Sequence, residues 1–216
     1  MPPYPAGQKI WHITHCKNLP SILRCDGLWS DAKRLEMELD CSLVGINKIK
    51  ERRLKEIEVT CHPGTMVGEY VPFYFCPRSV MLYILHMGNS PDLAYLEGQE
   101  PMVHLQADLT RVIKWATKAR VRWAFSDRNA GAYFASFSAD EDELAGLDWR
   151  AIANLDFRNP SVKEGKQAEF LVFESFPWSL VETVGVHNQK VQQRVAKSMA
   201  AAEHRPGIII RKDWYY

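Results

Sequence analysis

The hexapeptide AEFLVF at residues 168–173 decides most about the fold. Its apolar, aromatic and β-branched residues predict a buried core strand. Residues 70–75 (YVPFYF) predict a second strand, in which Pro72 indicates an edge strand or a strand entry. Glu169 is the only acid in the first strand, and burying an unpaired carboxylate is costly. We therefore expect Glu169 to have a function; an edge-strand glutamate facing solvent is the alternative.

Other segments extend this pattern on both sides. Further strands are predicted at residues 9–14, 102–106, 180–186 and 208–210. Helices are predicted from Asn18 to a stop at Gly27, from Ser79 onward, and at residues 110–117 and 189–202. The order has no regular β-α-β alternation and no internal repeat. It favours an α+β fold over a doubly wound α/β fold.

Two polar segments interrupt these elements. Residues 32–53 are heavily charged and weakly periodic, which predicts one or two short helices. Residues 126–165 mix acidic, small and aromatic residues and predict a long loop with one short helix around residues 147–155. A loop of that length inside a compact domain is usually functional or disordered.

Composition sets broad limits. The 216 residues are 46% hydrophobic, so we expect one domain spanning residues 1–216. The net charge of +1 gives no sign of a nucleic-acid partner, so any such site must come from local clustering. Five scattered cysteines show no zinc spacing, and their odd number argues against a disulfide framework. With no signal peptide or membrane span visible, we expect a cytoplasmic protein. We also expect a monomer that uses no metal.

The common cofactor and nucleophile motifs are missing. The sequence contains no GxGxxG, Walker, HExxH or GxSxG pattern. If NAD binds, it does not bind as in a Rossmann fold, so the chemistry depends on dispersed residues.

Three further segments carry candidate functional residues. In the strand that contains WHITH (residues 11–15), His12 and Thr14 share one face and suit a ligand amide or ribose, or else belong to the core. In residues 50–53 (KERR), an arginine could hold a pyrophosphate or polarise a base, although a solvated helix face is the commoner meaning. Arg78 precedes a helix N-terminus, where a bound phosphate would offset its unfavourable charge.

Together these segments resemble the DarT family of DNA ADP-ribosyltransferase toxins. The resemblance extends from about Ile10 to Ile210 and rests on WHITH followed by KNLPSIL, on the GxxxxxYVPFYFxPRSxML stretch at residues 64–82, and on QAEFLV at residues 167–172. It implies an ADP-ribosyltransferase core, a split mixed β-sheet that clasps NAD as co-substrate.

The resemblance also implies roles for individual residues. Glu169 matches the catalytic glutamate, and Arg53 matches the catalytic arginine, with Arg52 as the alternative. Residues 35–53 match an NAD-covering element, and residues 126–169 a substrate-recognition loop that presents a DNA base. The residues that match NAD contacts are His12, Ile13, Thr14, Ser21, Gly27, Leu28 and Arg53.

The implied substrate is single-stranded DNA, because a duplex hides the acceptor atom of a base. Aromatic side chains could stack a base and arginines could hold phosphates. The candidates are Tyr74, Tyr133 and Phe134 for stacking, and Arg78 and Arg128 for phosphates. Overall likeness favours thymine over guanine as acceptor, and the family implies a macrodomain antitoxin that removes the modification.

Other functions remain open from the sequence. The same scaffold could serve an NAD glycohydrolase or a transferase acting on protein or RNA. A non-enzymatic alternative is a nucleic-acid-binding module with a decayed NAD site. The presence of His12, an arginine at 52 or 53, and Glu169 argues against such decay.

Overall fold

An eight-stranded mixed sheet organises the chain in the computed structural model, which describes residues 2–39, 41–42 and 47–216. The strands are β1 (Lys9–His15), β2 (Gly27–Trp29), β3 (Tyr70–Tyr74), β4 (Met102–Asp108), β5 (Trp123–Ser126), β6 (Phe137–Ser138), β7 (Glu169–Phe173), β8 (Ser175–Pro177), β9 (Thr183–Val186) and β10 (Gly207–Ile210). The sheet order is β10-β9-β4-β1-β3-β7-β5-β6, and β2 pairs separately with β8. The β9–β10 pair is parallel, whereas the pairs around β1, β3 and β7 are antiparallel.

Helices surround this sheet. They are α1 (Leu19–Arg24), α2 (Asp31–Glu36), α3 (Asn47–Lys55), α4 (Val80–Met87), α5 (Leu109–Ala119), α6 (Trp149–Ala153), α7 (Pro160–Gly165) and α8 (Gln189–Ser198). The predicted α+β class is confirmed.

Strand β7 lies between two cores, which explains its apolar sequence. Phe170 and Val172 belong to the main core, whereas Leu171 packs into a second cluster that contains Tyr70. Because side chains alternate between the faces of a strand, Glu169 shares the face of Leu171. The predicted core strand is confirmed, and its one carboxylate points to the side of the second cluster.

The prediction that Pro72 marks an edge strand or a strand entry is wrong. Strand β3 is interior, between β1 and β7, and Pro72 lies in its middle, opposite Leu171. The Pro72 carbonyl faces β1, where it accepts a hydrogen bond from the ring of His12. A residue in an antiparallel strand points its N and its C=O to the same side, so the missing N–H also faces β1. There β1 and β3 pair only at Trp11 and Tyr74, and no ladder bond is lost.

Gly27 does not end the first helix as predicted. Helix α1 ends at Arg24, and the left-handed residue after it is Asp26, with φ of 49°. Gly27 begins β2 instead, where a Cβ atom would lie 2.3 Å from the Phe176 carbonyl oxygen. Glycine is needed here for the close approach of β2 to β8.

The segment from residue 126 to 169 connects β5 to β7. Its two ends are Cα partners in the sheet, Ser126 opposite Glu169. The expected short helix is confirmed as α6, but α7, strand β6 and a 3-10 helix at Asp142–Gly146 were not predicted. These elements are too short to produce a periodic sequence signal.

Other boundaries shift by a few residues. The predicted strand at residues 180–186 begins only at Thr183, because Trp178–Leu180 forms a 3-10 helix. The charged segment contains α2 and α3, two short helices; its residues 40 and 43–46 lie outside the described part. None of the five cysteines forms a disulfide. No described helix has the length and apolar character needed to cross a membrane.

Candidate active site

A cleft of about 260 Å³ opens beside the seam between β1 and β3. Side chains from α1, β2, α2 and α3 close its other sides. All seven residues predicted to bind NAD line it, namely His12, Ile13, Thr14, Ser21, Gly27, Leu28 and Arg53. Residues far apart in sequence thus meet in one cavity.

A buried ion pair lies at one wall of the cleft. Arg53 Nη1 and Nη2 donate to Glu169 Oε1 and Oε2 at 3.1 and 2.9 Å. The Ala130 backbone N–H donates to Oε1 at 2.9 Å. The Glu169 side chain is 1% exposed and that of Arg53 14%. Arg53 is among the residues that line the cleft, whereas Glu169 is not and contacts it through Arg53.

Local packing positions both partners. Arg53 lies in the last turn of α3, where a cation is favoured by the helix dipole. Helix α3 packs directly on the turn that precedes β3, since a Cβ on Gly68 would lie 2.8 Å from Leu54 Cα. Glu169 begins β7, and its N–H donates to Ser126 Oγ at 3.2 Å. The pair therefore joins α3 to the sheet.

The protonation states follow from the burial and charge of the pair. Burial alone lowers the pKa of Arg53, but the charge and hydrogen bonds of Glu169 outweigh it and raise that pKa. Arg53 is thus a fixed cation.

Tyr74 lines the cleft and is the cross-strand partner of Glu169. Burial, and then the charge of Glu169, raise the pKa of the Tyr74 hydroxyl, which therefore stays neutral.

His12 has one defined tautomer. The Pro72 carbonyl can only accept, so His12 Nδ1 carries the proton of their 2.8 Å hydrogen bond. Burial lowers the pKa of His12, which keeps the ring neutral and leaves Nε2 as an acceptor. A neutral imidazole in the cleft suits the amide or hydroxyl donors of a ligand.

Asn18 connects the cleft floor to the charged segment. Its Nδ2 donates to Thr14 Oγ1 and to the Ser42 carbonyl, each at 3.0 Å. Its Oδ1 accepts from the Ser42 N–H at 2.7 Å. Ser42, in the charged segment, is thereby held close to Thr14 of β1.

Several polar residues of the cleft were not predicted. They are Trp29, Asp31, Arg34, Lys50, Asn129 and Gln167. Trp29 Nε1 and Arg34 Nε are buried and have no hydrogen-bond partner among the described residues. Such orphaned donors inside a cleft fit the polar groups of a bound ligand. Ser30, which caps α2, is the sequence signal that could have placed Asp31 and Arg34 on a helix.

The structure separates the two adjacent arginines. Arg53 contacts Glu169, whereas Arg52 Nη2 donates to the Gly131 carbonyl at 2.6 Å. The Arg52 guanidinium also lies 4.1 Å from the centre of the Tyr133 ring. Of the two candidates, Arg53 is the one that reaches the predicted glutamate.

The predicted DNA-contacting residues fall into three environments. Tyr74 lies inside the cleft, while Tyr133 and Phe134 are 68% and 87% exposed on the recognition loop. Arg78 lies 4.3 Å from the Tyr216 ring centre, and its Nε has no partner among the described residues. Arg128 pairs with two carboxylates, Asp127 and Glu164. A DNA phosphate would have to compete with these two carboxylates for the Arg128 guanidinium.

Within residues 2–39, 41–42 and 47–216, no three His, Cys, Asp or Glu side chains are grouped so that they could hold an ion.

Known proteins share this architecture. The family model described as "ssDNA thymidine ADP-ribosyltransferase, DarT" matches residues 11–216. A DNA ADP-ribosyl transferase from Thermus sp. (strain 2.9) is 40% identical over 216 residues, covering 99% of this chain and 98% of the relative. The solved structure of Thermus sp. 2.9 DarT in complex with ADP-ribosylated ssDNA superimposes with a TM-score of 0.88 at 39% identity, covering 99% and 98% of the two chains.

Two further matches bear on ligands and partners. Thermus sp. 2.9 DarT in complex with NAD+ has a TM-score of 0.82 at 38% identity, covering 99% of this chain and all of that one. A DNA ADP-ribosyl transferase-DNA ADP-ribosyl glycohydrolase fusion protein from Thermosipho africanus is 28% identical over 130 residues, 60% of this chain and 29% of the fusion. The family match covers nearly the whole sequence and agrees with the resemblance seen in its motifs. The chain belongs to the DarT family of single-stranded-DNA thymidine ADP-ribosyltransferases.

Proposed function

We propose that this protein transfers ADP-ribose from NAD to thymine in single-stranded DNA. The observation that carries the proposal is the buried, bidentate Arg53–Glu169 pair at the wall of a cleft lined by all seven predicted NAD contacts. Membership of the DarT family supports the nature of the donor and of the acceptor. That family description favours thymine over guanine.

Glu169 is the proposed catalytic carboxylate. The bond between nicotinamide and ribose breaks with its electron pair leaving on nicotinamide, so the ribosyl centre gains positive charge. A carboxylate in a site with little water stabilises such charge strongly. Because Glu169 contacts the cleft through Arg53, substrates must displace or share part of this guanidinium contact.

Arg53 is the proposed electrostatic partner of the base. The attacking ring nitrogen forms the new bond to the ribose and gives up a proton, which passes to solvent water. A guanidinium whose pKa is raised by Glu169 is a poor base. Arg53 instead stabilises the negative charge that develops on thymine as the proton leaves.

The recognition loop supplies three of the five proposed DNA contacts, and the segment that ends β3 and leads to α4 supplies the other two. Exposed aromatic rings stack unpaired bases, at about 1–3 kcal/mol per base. Tyr133 and Phe134 have the required exposure, and Tyr74 faces the cleft where the acceptor base would enter. Arg78 and Arg128 are the proposed phosphate contacts.

The proposal extends to the biological setting. The sheet from β1 to β10 runs through the described chain, which supports one domain spanning residues 1–216. The Thermosipho fusion joins a related segment to a glycohydrolase. We infer that this chain acts as a monomeric toxin whose modification is removed by a separate glycohydrolase of the macrodomain type. A cytoplasmic location follows from the proposed substrates, because DNA and NAD are both found there.

The activity is tested with NAD and thymine-containing single-stranded oligonucleotides. Wild type should add one ADP-ribose unit, seen by mass spectrometry, and oligonucleotides without thymine should remain unmodified. Glu169→Gln keeps the size and an acceptor for the Ala130 N–H but removes the charge, so the rate should fall at least about 10³-fold. Circular dichroism and thermal stabilisation by NAD check its fold and cofactor binding.

Other outcomes would contradict the proposal. A Glu169→Gln enzyme of near wild-type rate would exclude Glu169 as the catalytic carboxylate. Free ADP-ribose with no DNA adduct would identify a glycohydrolase. ADP-ribose attached only to protein or RNA would identify another transferase. DNA binding with no adduct and no stabilisation by NAD would indicate a module with a decayed site.

A further inference from the structure

Two neighbouring side chains at the end of α3 reach two different parts of the protein. Arg53 binds Glu169 at the start of β7, whereas Arg52 binds the recognition loop. The Arg52 guanidinium donates to the Gly131 carbonyl and lies over the Tyr133 ring, with its central carbon 4.1 Å from the ring centre. Glu56, one turn later, accepts a hydrogen bond from the Tyr133 hydroxyl at 3.2 Å. The last turn of α3 and the residue that follows it thus contact the loop through the Arg52 guanidinium and the Glu56 carboxylate.

The contacted part of the loop is a closed unit. The Asp127 N–H donates to the Ser136 carbonyl at 3.2 Å, and the Ser136 N–H donates to Asp127 Oδ1 at 3.0 Å. Between these ends, Gly131 packs on α3, since a Cβ there would lie 3.2 Å from Ile49 Cγ2. Residues 127–136 therefore form a small lobe that rests on the helix.

This lobe presents the most exposed aromatic residue of the loop. Phe134 is 87% exposed and directly follows Tyr133, whose ring is held under Arg52. A cation over an aromatic ring and a hydrogen bond from a charged donor both stabilise the arrangement in which they form. Together these two contacts favour one position of the lobe on α3.

The same helix forms part of the cleft wall through Ile49, Lys50 and Arg53. We propose that Arg52 is a positioning residue through which NAD bound in the cleft increases the affinity of the lobe (residues 127–136) for DNA. This inference rests on the proposed function, because it takes NAD and single-stranded DNA as the two ligands. Any ligand that orders α3 would also fix Arg52, and hence the lobe that presents Phe134. By linkage, DNA held by the lobe would favour NAD binding to the same extent.

A first experiment examines the contact without any ligand. Hydrogen exchange of the amides in residues 127–136 is compared between wild type and Arg52→Ala. Exchange should speed up there in the variant, while the amides of β1 stay unchanged. Gly131→Ala disturbs the packing of the same lobe on α3, because the added Cβ would lie 3.2 Å from Ile49 Cγ2, and should give the same local result. Unchanged exchange in both variants would overturn the proposal whatever the enzyme's activity.

A second experiment measures the coupling itself. The Kd of a thymine oligonucleotide is determined by fluorescence anisotropy with and without a non-cleavable NAD analogue. In wild type the analogue should tighten DNA binding about 5- to 10-fold, and in Arg52→Ala this factor should fall to about one. Arg52→Lys should recover little of it, because an ammonium can donate to Gly131 but cannot lie flat on Tyr133.

Arg122 provides the matched control. Its guanidinium lies 3.6 Å from the centre of the Phe173 ring, at the far end of β7 from Glu169. Arg122→Ala should keep the full effect of the analogue and the exchange of residues 127–136. If Arg52→Ala and Arg122→Ala lose coupling equally, or if wild type shows none, Arg52 does not couple the sites. Failure of the proposed function itself would appear separately, as wild type that binds both ligands but makes no adduct.

Discussion

The recognition loop has two ends that differ in almost every physical respect. Its root consists of Ser126, Ala130 and Glu169, which are fully or almost fully buried and joined by hydrogen bonds. Its tip consists of Tyr133 and Phe134, which are mostly exposed. Only a few residues separate Ala130 from the tip, yet one end belongs to the protein interior and the other to solvent.

This difference matches two kinds of task. Stabilising a transient charge requires a fixed carboxylate in a dry environment, where electrostatic interactions are strong. Binding a flexible single strand requires exposed aromatic rings on which any base can stack. Changes at the root should therefore affect the rate of chemistry, and changes at the tip the affinity for DNA.

After Glu169→Gln, the largest effect is expected from Arg53→Lys. An ammonium keeps the charge but cannot make two parallel bonds to Glu169, so both groups lose their fixed geometry. We expect kcat to fall at least about 10²-fold, measured by single-turnover adduct formation at saturating NAD and DNA. Arg211→Lys is the control, because Arg211 pairs with Asp213 at the surface. Equal losses in both variants would show that the buried site has no special role.

A smaller effect is expected from Phe134→Ala at the tip. Loss of one stacking ring should raise the KM for the oligonucleotide about 10-fold, or about 1.4 kcal/mol, and leave kcat within twofold. Steady-state kinetics at varied oligonucleotide concentration provide the test. Leu96→Ala, which removes another exposed apolar side chain, should change neither constant. A fall in kcat without a change in KM would contradict the assignment of DNA affinity to the tip and of chemistry to the root.

Acid pH should lower the free energy of unfolding through a buried histidine of the sheet that carries the root. This effect does not depend on the tip. Burial lowers the pKa of His104 in β4 from 6.5 to about 4. The unfolded chain therefore binds a proton more readily than the folded one between these values, and the free energy of unfolding decreases as pH falls from about 6.5 to 4. At pH 5 the loss from this group is about 2 kcal/mol.

Urea unfolding at pH 7 and pH 5 measures this effect. His104→Asn removes the titrating ring, so its stability should depend less on pH than that of wild type by about the same amount. An equal pH dependence in both proteins would exclude His104 as the source. At pH 7, where the ring is neutral in both states, activity per folded molecule should be close to that of wild type.

The core strands were predictable because their signal is local. β-Branched and aromatic runs gave β1, β3 and β7 almost to the residue, and the lone acid in β7 identified Glu169 as unusual. The place of β3 was predicted wrongly, because the rule for Pro72 assumes a ladder bond that the β1–β3 seam does not make. The short elements α7 and β6 were not predicted, because they form only where the sheet holds the two ends of the loop in place.

The amino-acid sequence by itself determined the α+β class, the main strands and seven of the residues that line the cleft, since each of these depends on local pattern or on a family motif. Tertiary structure alone decided that Arg53 meets Glu169 while Arg52 turns to the recognition loop. Both arginines have the same chemistry and adjacent positions, so only the direction in which α3 presents each side chain tells them apart. That direction is set by the close packing of α3 on Gly68 and Gly131, which are contacts between distant parts of the chain.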